Sequence, residues 1–282
     1  GWRISMILLP IYPEVWMAEL YQQIEAAILT SDAGRKCALT TQLHHAWQQG
    51  LLSCKAQSVI LPIDDPGRPQ EPELVDPRKL ERRSVATELG RVRLLHAFAH
   101  IEFNAINIAL DAAYRFRGMP RQFVSDWLLV ASEEARHFQL LEGELRRRGS
   151  YYGAHRAHRG LWDMVCQTRD NVLHRMALVP RVMEARGLDV TPGMIAKFKQ
   201  IDDQAAVEIL KIIYRDEVGH VRIGNHWYNH LCEQQELDAD ETFRKLIERY
   251  MGGKLRGPFN WPARLEAGFQ TDELSALEQG FH

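Results

Sequence analysis

Two short motifs in this 282-residue chain could do chemistry. Glu133-Glu134-Ala135-Arg136-His137 and Asp216-Glu217-Val218-Gly219-His220 each contain Glu-x-x-His. On an α-helix this spacing sets a carboxylate and an imidazole one turn apart on one face. A single match is weak, because both residue types are common, so the neighbours decide. The face of Glu134 also carries Trp127, Val130, Ala131, Phe138 and Leu141, and that of Glu217 carries Leu210, Ile213, Val221 and Gly224. Both motifs therefore point along an apolar stripe into a core. An unpaired ionised carboxylate there costs several kcal/mol, so it needs protons, partners or a cation.

Two further glutamates occupy equivalent positions. Glu102 is flanked at helical spacing by Leu95, Phe98, Ala105, Ile106 and Ala109, and Glu184 is the only glutamate of its helix. Glu102 precedes Glu134 by 32 residues and Glu184 precedes Glu217 by 33, while Glu134 to Glu217 and His137 to His220 are both 83. The chain thus repeats one half-site, a helix with Glu followed by a helix with Glu-x-x-His. Four carboxylates balance two divalent cations, and a mixture of oxygen and nitrogen donors suits iron or manganese better than softer metals. The same ligand set defines the ferritin-like dimetal carboxylate bundles. Glu102, Glu134, His137, Glu184, Glu217 and His220 are the expected metal ligands, with Glu134 and Glu217 as bridges and Glu102 and Glu184 outside them. The expected cofactor is two metal ions, iron first and manganese as the alternative.

Helices must carry these residues. Thr87 to about Arg117 has almost no breaker before Gly118-Met119-Pro120, which gives a helix of ~45 Å. A second helix runs from about Arg121 to Arg148, where three arginines suit a helix C-terminus. The third spans about Leu161 to Arg186 and is expected to end at Gly187, with Thr191-Pro192-Gly193 as loop and a short helix around Ile195–Ile201. The fourth is long, from about Asp203 to Gln235. Pro180 lies one turn before Glu184 and must distort the third helix, which could aim that carboxylate inward. Strand signals are nearly absent. The expected fold is all-α: an antiparallel four-helix bundle of the ferritin-like kind over residues 81–237. Residues 1–80 read as a helical accessory region ending in a linker with five prolines from Pro62 to Pro77. Residues 238–282 read as an irregular tail that adds one short helix and wraps the bundle.

Composition sets outer bounds. Lys and Arg number 35 against 37 Asp and Glu, for a formal net charge of −2, which argues against a chain built mainly to neutralise nucleic acid. No run reaches the ~18 apolar residues of a membrane span, and Met6–Ile11 is too short for a signal peptide. Four scattered cysteines (Cys37, Cys54, Cys166, Cys232) form no Cys-x-x-Cys pair, so they suggest neither an iron–sulfur module nor a disulfide scaffold. A reduced, cytoplasmic setting is the expectation.

Other residues near the motifs have plainer readings. His100 lies about 200° around its helix from Glu102 and is expected to be structural, while His96 is either packed or behind a ligand. His226, Trp227 and His230 read as surface or packing residues. Tyr214 shares a face with Glu217 and reads as core filler, with a ligand hydrogen bond as the alternative. Arg181 could pair with a ligand carboxylate or face solvent. Arg146, Arg147, Arg148, Arg156 and Arg159 read as helix-end and loop charge, with an anion or RNA site as the alternative.

The segments Leu94-Leu95-His96-Ala97-Phe98-Ala99-His100-Ile101-Glu102, Glu133 to His137, Glu184-Ala185-Arg186-Gly187-Leu188-Asp189 and Asp216 to His220 together resemble a ferritin-like family known only as domain of unknown function 455. Gly257-Pro258-Phe259-Asn260 to Gly268-Phe269 resembles that family's ending. The resemblance covers roughly residues 70 to 270. It implies a dimetal bundle and no particular reaction. A more distant likeness, in the Glu-Ala-Arg segment of the third helix, is to the ferritin-like tRNA hydroxylase that modifies adenosine.

The expected function is a dioxygen-activating oxidoreductase that hydroxylates or otherwise oxidises an organic substrate. The alternatives are an iron oxidation and storage protein, or a metal-binding protein without catalysis. A small-molecule substrate or modified RNA is the expected partner, together with a separate electron donor, no membrane, and a monomeric or homodimeric chain.

Overall fold

The computed structural model describes residues 18–55, 58–253, 255 and 257–280, so the apolar run Met6–Ile11 lies outside the described residues. The elements are helical apart from one two-residue parallel pairing, β1 (Ala18–Glu19) with β2 (Leu52–Ser53), and an isolated bridge between Leu74 and Ala157. Among the described residues no helix is long and apolar enough to cross a membrane.

Two helices come first, α1 (Leu20–Leu29) and α2 (Ala33–Gln48). They pack on α3 (Glu88–Arg115) and α4 (Arg121–Arg147) and share one continuous hydrophobic core with the rest of the chain. Lys36 of α2 is fully buried at this seam. Its ammonium donates to the Ala27 and Ile28 carbonyl oxygens at 3.0 and 2.6 Å and to Asn107 Oδ1 of α3 at 2.6 Å. A buried ammonium is tolerated when its donors are satisfied, and here one side chain terminates α1 while tying it to the bundle.

The four long elements follow. The Thr87 hydroxyl caps α3 by accepting from Gly90 N. Five residues separate α3 from α4, which makes the two an antiparallel hairpin. Asp203 caps α8 (Gln204–Gln234) by accepting from Ala206 N, and Arg148 at the end of α4 holds that same aspartate at 2.7 and 2.8 Å.

The third element departs from the sequence expectation. It breaks early, between α5 (Gly160–Gln167) and α6 (Val172–Leu178), where Asn171 caps the new helix. It then passes through a π-helical turn, Val179–Glu184, and continues as α7 (Ala185–Gln200), straight through Gly187, Pro192 and Gly193. Two compensations explain this. Pro180 has no N–H to donate, and the wider π turn takes up the mismatch. The bulge fits because Gly224 of α8 faces it; a Cβ on Gly224 would lie 2.2 Å from Pro180 Cβ. Pro192 leaves the Leu188 carbonyl, four residues back, without its helical donor, and Asn260 Nδ2 donates to that oxygen at 2.9 Å.

A buried pair, Arg175 Nη1 to Asp111 Oδ2 at 2.7 Å, ties α6 to α3. The tail is more regular than the sequence suggests. It carries α9 (Ala239–Met251), α10 (Trp261–Glu266) and α11 (Thr271–Gln279). Arg264 of α10 grips Asp189 of α7 through two buried hydrogen bonds at 2.9 and 2.8 Å. The architecture is an all-α helical bundle.

Candidate metal centre

Each of the four long elements delivers its expected side chain to one buried cluster. Glu102 comes from α3, Glu134 and His137 from α4, Glu184 from the end of the π turn, and Glu217 and His220 from α8. Glu102, Glu134, His137 and Glu217 each present one ligand atom within 4.8 Å of all the others. His137 Nδ1 stands 3.2 Å from both Glu102 Oε2 and Glu134 Oε2. His220 Nδ1 lies 2.9 Å from Glu134 Oε1 and 3.8 Å from Glu217 Oε1. Glu134 therefore contacts both imidazoles, one through each oxygen. Glu184 adjoins the same cluster, and the charges of Glu217, Glu134 and His220 all act on it.

Several of these atoms lack conventional partners. Both Glu184 oxygens and Glu217 Oε2 are sealed from solvent and unbonded. His220 Nδ1 and Glu134 Oε1 also count as unpaired: although 2.9 Å apart, they are not aligned as donor and acceptor. Buried carboxylate and imidazole atoms thus crowd together without saturating one another's hydrogen bonds. That is the arrangement expected of ligands around a cation.

Electrostatics agrees. Burial pushes Glu102 well above the ordinary carboxylate range, and the neighbouring charge of Glu134 adds to it against the pull of His137. Glu184 rises to about 8, first through burial and then through Glu217 and Glu134. Burial would raise Glu134 too, but His220 and then His137 overcome it and hold that group well below its usual value. Desolvation would lower both imidazoles. Instead Asp216, Glu102 and Glu134 raise His137, and Glu134 and Glu133 raise His220, each well above the usual value. Protons on the imidazoles and outer carboxyls balance the cluster when these groups stand alone. Divalent cations would replace them.

Two participants have no assigned role in the sequence reading. His137 Nε2 meets Asp216 Oδ2 at 2.9 Å, and His220 Nε2 meets Glu133 Oε2 at 2.8 Å. Each imidazole on one helix is thus oriented by a carboxylate of the other. Such outer partners fix the tautomer and raise the basicity of a metal-binding imidazole. A signal for them exists in the sequence: an acid stands just before the ligand glutamate in both motifs, and Glu133 and Asp216 are 83 residues apart like the ligands themselves.

The remaining candidates are structural. His100 Nδ1 is 2.9 Å from the Tyr152 hydroxyl and its Nε2 is 2.8 Å from the His158 carbonyl oxygen, while His96 Nε2 accepts from Gly153 N at 2.9 Å. Both pin the loop after α4 onto α3. Trp227 of α8 is buried, its indole N–H donating to Asp126 Oδ2 at 2.8 Å, and His226 and His230 meet it edge-on. Tyr214 does not bond a ligand; its hydroxyl accepts from Asn260 Nδ2 at 2.9 Å. Arg181 is neither exposed nor paired with Glu184. It is buried among Tyr228, Phe243 and Phe269 and pairs with Glu273 of α11. The arginines from 146 to 159 are engaged by Glu142, Glu144, Asp203, Glu73, Asp65 and Asp163.

A cavity of about 240 Å³ opens beside the cluster, with Glu102, Glu134, Glu184 and Glu217 in its wall. Phe98, Ile108, Val179, Met183 and Ile213 give it an apolar lining.

Comparison with known proteins places these features in a family. An uncharacterized protein of Haemophilus influenzae is 45% identical over 268 residues, covering 92% of this chain and 93% of that protein. No solved structure matches the chain. The family model described as "Protein of unknown function (DUF455)" matches residues 29–275, which include all four long bundle elements, and the chain belongs to that family.

Proposed function

We propose that this protein is a dimetal-carboxylate oxidoreductase that uses dioxygen to hydroxylate or otherwise oxidise an organic substrate. The observation that supports it most is the group of buried, unpartnered carboxylate oxygens of Glu184 and Glu217 beside the cluster formed by Glu102, Glu134 and His137. The donor set contains oxygen and imidazole nitrogen and no thiolate, which suits a pair of iron ions, with manganese as the alternative. When bound, such a pair would supply the electrons and the open coordination positions that dioxygen chemistry needs.

The chain's own residues would do the rest. Glu134 contacts both imidazoles, and it would hold the metals together with Glu102, His137, Glu184, Glu217 and His220. Asp216 and Glu133 hold the imidazoles in one tautomer. The apolar cavity would admit an organic substrate to the carboxylate edge and keep bulk water away. This feature favours oxidation of an organic molecule over iron storage, since hydrated ferrous ions would be better served by a polar entry. The metals would then be returned to their reduced state by an electron donor, which we assign to a separate protein.

Metal analysis of the untagged protein, followed by dioxygen uptake with a chemical reductant, tests this reading. We expect two iron or manganese ions per chain, and dioxygen consumption that is lost in Glu134→Ala. A metal-free protein, or a loaded one inert to dioxygen under every donor, would overturn it.

A further inference from the structure

The cavity beside the cluster has chemically different parts. Four glutamates form one part of its wall, and apolar side chains flank them. At about 240 Å³ it exceeds the ~150 Å³ apolar cavity that accepts benzene, so it can take a substantial organic body. The outer lining includes Arg83 and Arg186, both exposed, so the cavity reaches solvent there.

The charges at this outer end are uneven. Arg83, Arg93 and Arg156 line it together with Glu81. Arg156 is engaged by Glu73 at 3.2 Å. Arg93 is engaged weakly, its Nη1 donating to the Arg82 carbonyl oxygen at 3.4 Å. His155 and His158 also belong to the lining. Burial lowers both imidazoles, and the charges of Arg93 and Arg83 respectively lower them further. Guanidinium groups in the wall of an otherwise apolar pocket favour an anionic head group on its ligand.

We infer that the ligand of this cavity is an amphiphilic anion, its apolar body lying along Phe98, Val179 and Ile213 and its carboxylate or phosphate head held by Arg93 and Arg83. The inference deepens the oxidoreductase reading and rests on it for what is done to the ligand. The lining gives the binding its polarity: the charged head stays near the arginines, and the apolar body runs past the carboxylate cluster. The position attacked is then remote from the head group.

Calorimetric titration of the full chain with octanoate, octyl phosphate and 1-octanol tests this. We expect at least one of the two anions to bind saturably and about tenfold or more tighter than 1-octanol, as a charge-assisted hydrogen bond implies. Arg83→Gln combined with Arg93→Gln should remove that preference and leave the 1-octanol affinity and the metal content unchanged. Val190→Trp, at a wall position 38% exposed, should weaken all three ligands together. Equal affinity for alcohol and anions, no binding of any of the three, or an undiminished anion preference in the double arginine variant would overturn the inference. Metal analysis of the same samples separates the two readings. A chain that lacks metal yet discriminates anion from alcohol sinks only the oxidoreductase reading, and a loaded chain indifferent to head charge sinks only the ligand class.

Discussion

At the scale of single residues, the crossed pairs His137–Asp216 and His220–Glu133 govern how tightly the cluster would hold metal. Replacing Asp216 with Asn keeps the shape but substitutes a neutral amide for the carboxylate that supports His137. We expect metal affinity to fall by about 10- to 100-fold. Competition against a chromophoric chelator measures this, with circular dichroism confirming that the fold survives; unchanged affinity would show that Asp216 serves only its contacts with Arg136 and Arg215. Proton inventory gives a second test. The metal-free cluster carries protons at neutral pH on His137 and His220, whose values are raised, and on Glu184, raised to about 8. Metal uptake displaces them, so loading releases acid and apparent affinity increases as pH rises toward 8. A pH-stat titration with ferrous iron under nitrogen measures the released protons, and loading without release would contradict the assignment. The six candidate ligands were legible from types and spacing because helical periodicity converts sequence distance into direction. The outer acids were less so: Glu133 and Asp216 sit one position off the inward face, and only the crossing of α4 with α8 turns each toward the other helix's imidazole.

At the scale of elements, the π turn at Val179–Glu184 shows why helix boundaries cannot be read from breakers alone. Gly187, Pro192 and Gly193 look like a stop, yet α7 runs through them, because the missing donor at Pro192 is replaced from outside by Asn260. That replacement comes from 72 residues downstream, beyond any local pattern. Pro180 was a legible signal of distortion, and its partner Gly224 was visible only as a member of the α8 stripe. Gly224→Ala should therefore clash with the proline ring. We expect a loss of about 1–3 kcal/mol, typical of overpacking, in urea denaturation. The same variant should weaken metal binding through the shifted Glu184. A neutral effect on both would mean that the π turn yields readily.

At the scale of the whole molecule, the early and late segments do more than decorate the bundle. α1 and α2 share its core and are latched by buried Lys36, while α10 and α11 grip the third element through Arg264–Asp189 and Arg181–Glu273. The all-α class was legible from periodicity, as was the helical character of α1 and α2. The depth of this integration was not, since a lysine and an arginine ordinarily read as surface residues. Segments packed in this way occupy bundle faces that a storage shell would need for contacts between subunits. Light scattering of the purified protein should accordingly give a monomer or a dimer. A 12- or 24-subunit particle, the size of a mineral-holding cage, would favour the storage alternative instead.

The exchange of acids between α4 and α8 has a consequence for assembly. Neither Glu-x-x-His turn is chemically complete on its own rod, because the group that sets its ring orientation is lent by the opposite one. A peptide bearing a single copy would present an imidazole free to rotate, and high-affinity capture would emerge only when both copies meet. Docking of the two rods and readiness for cargo are thus one event.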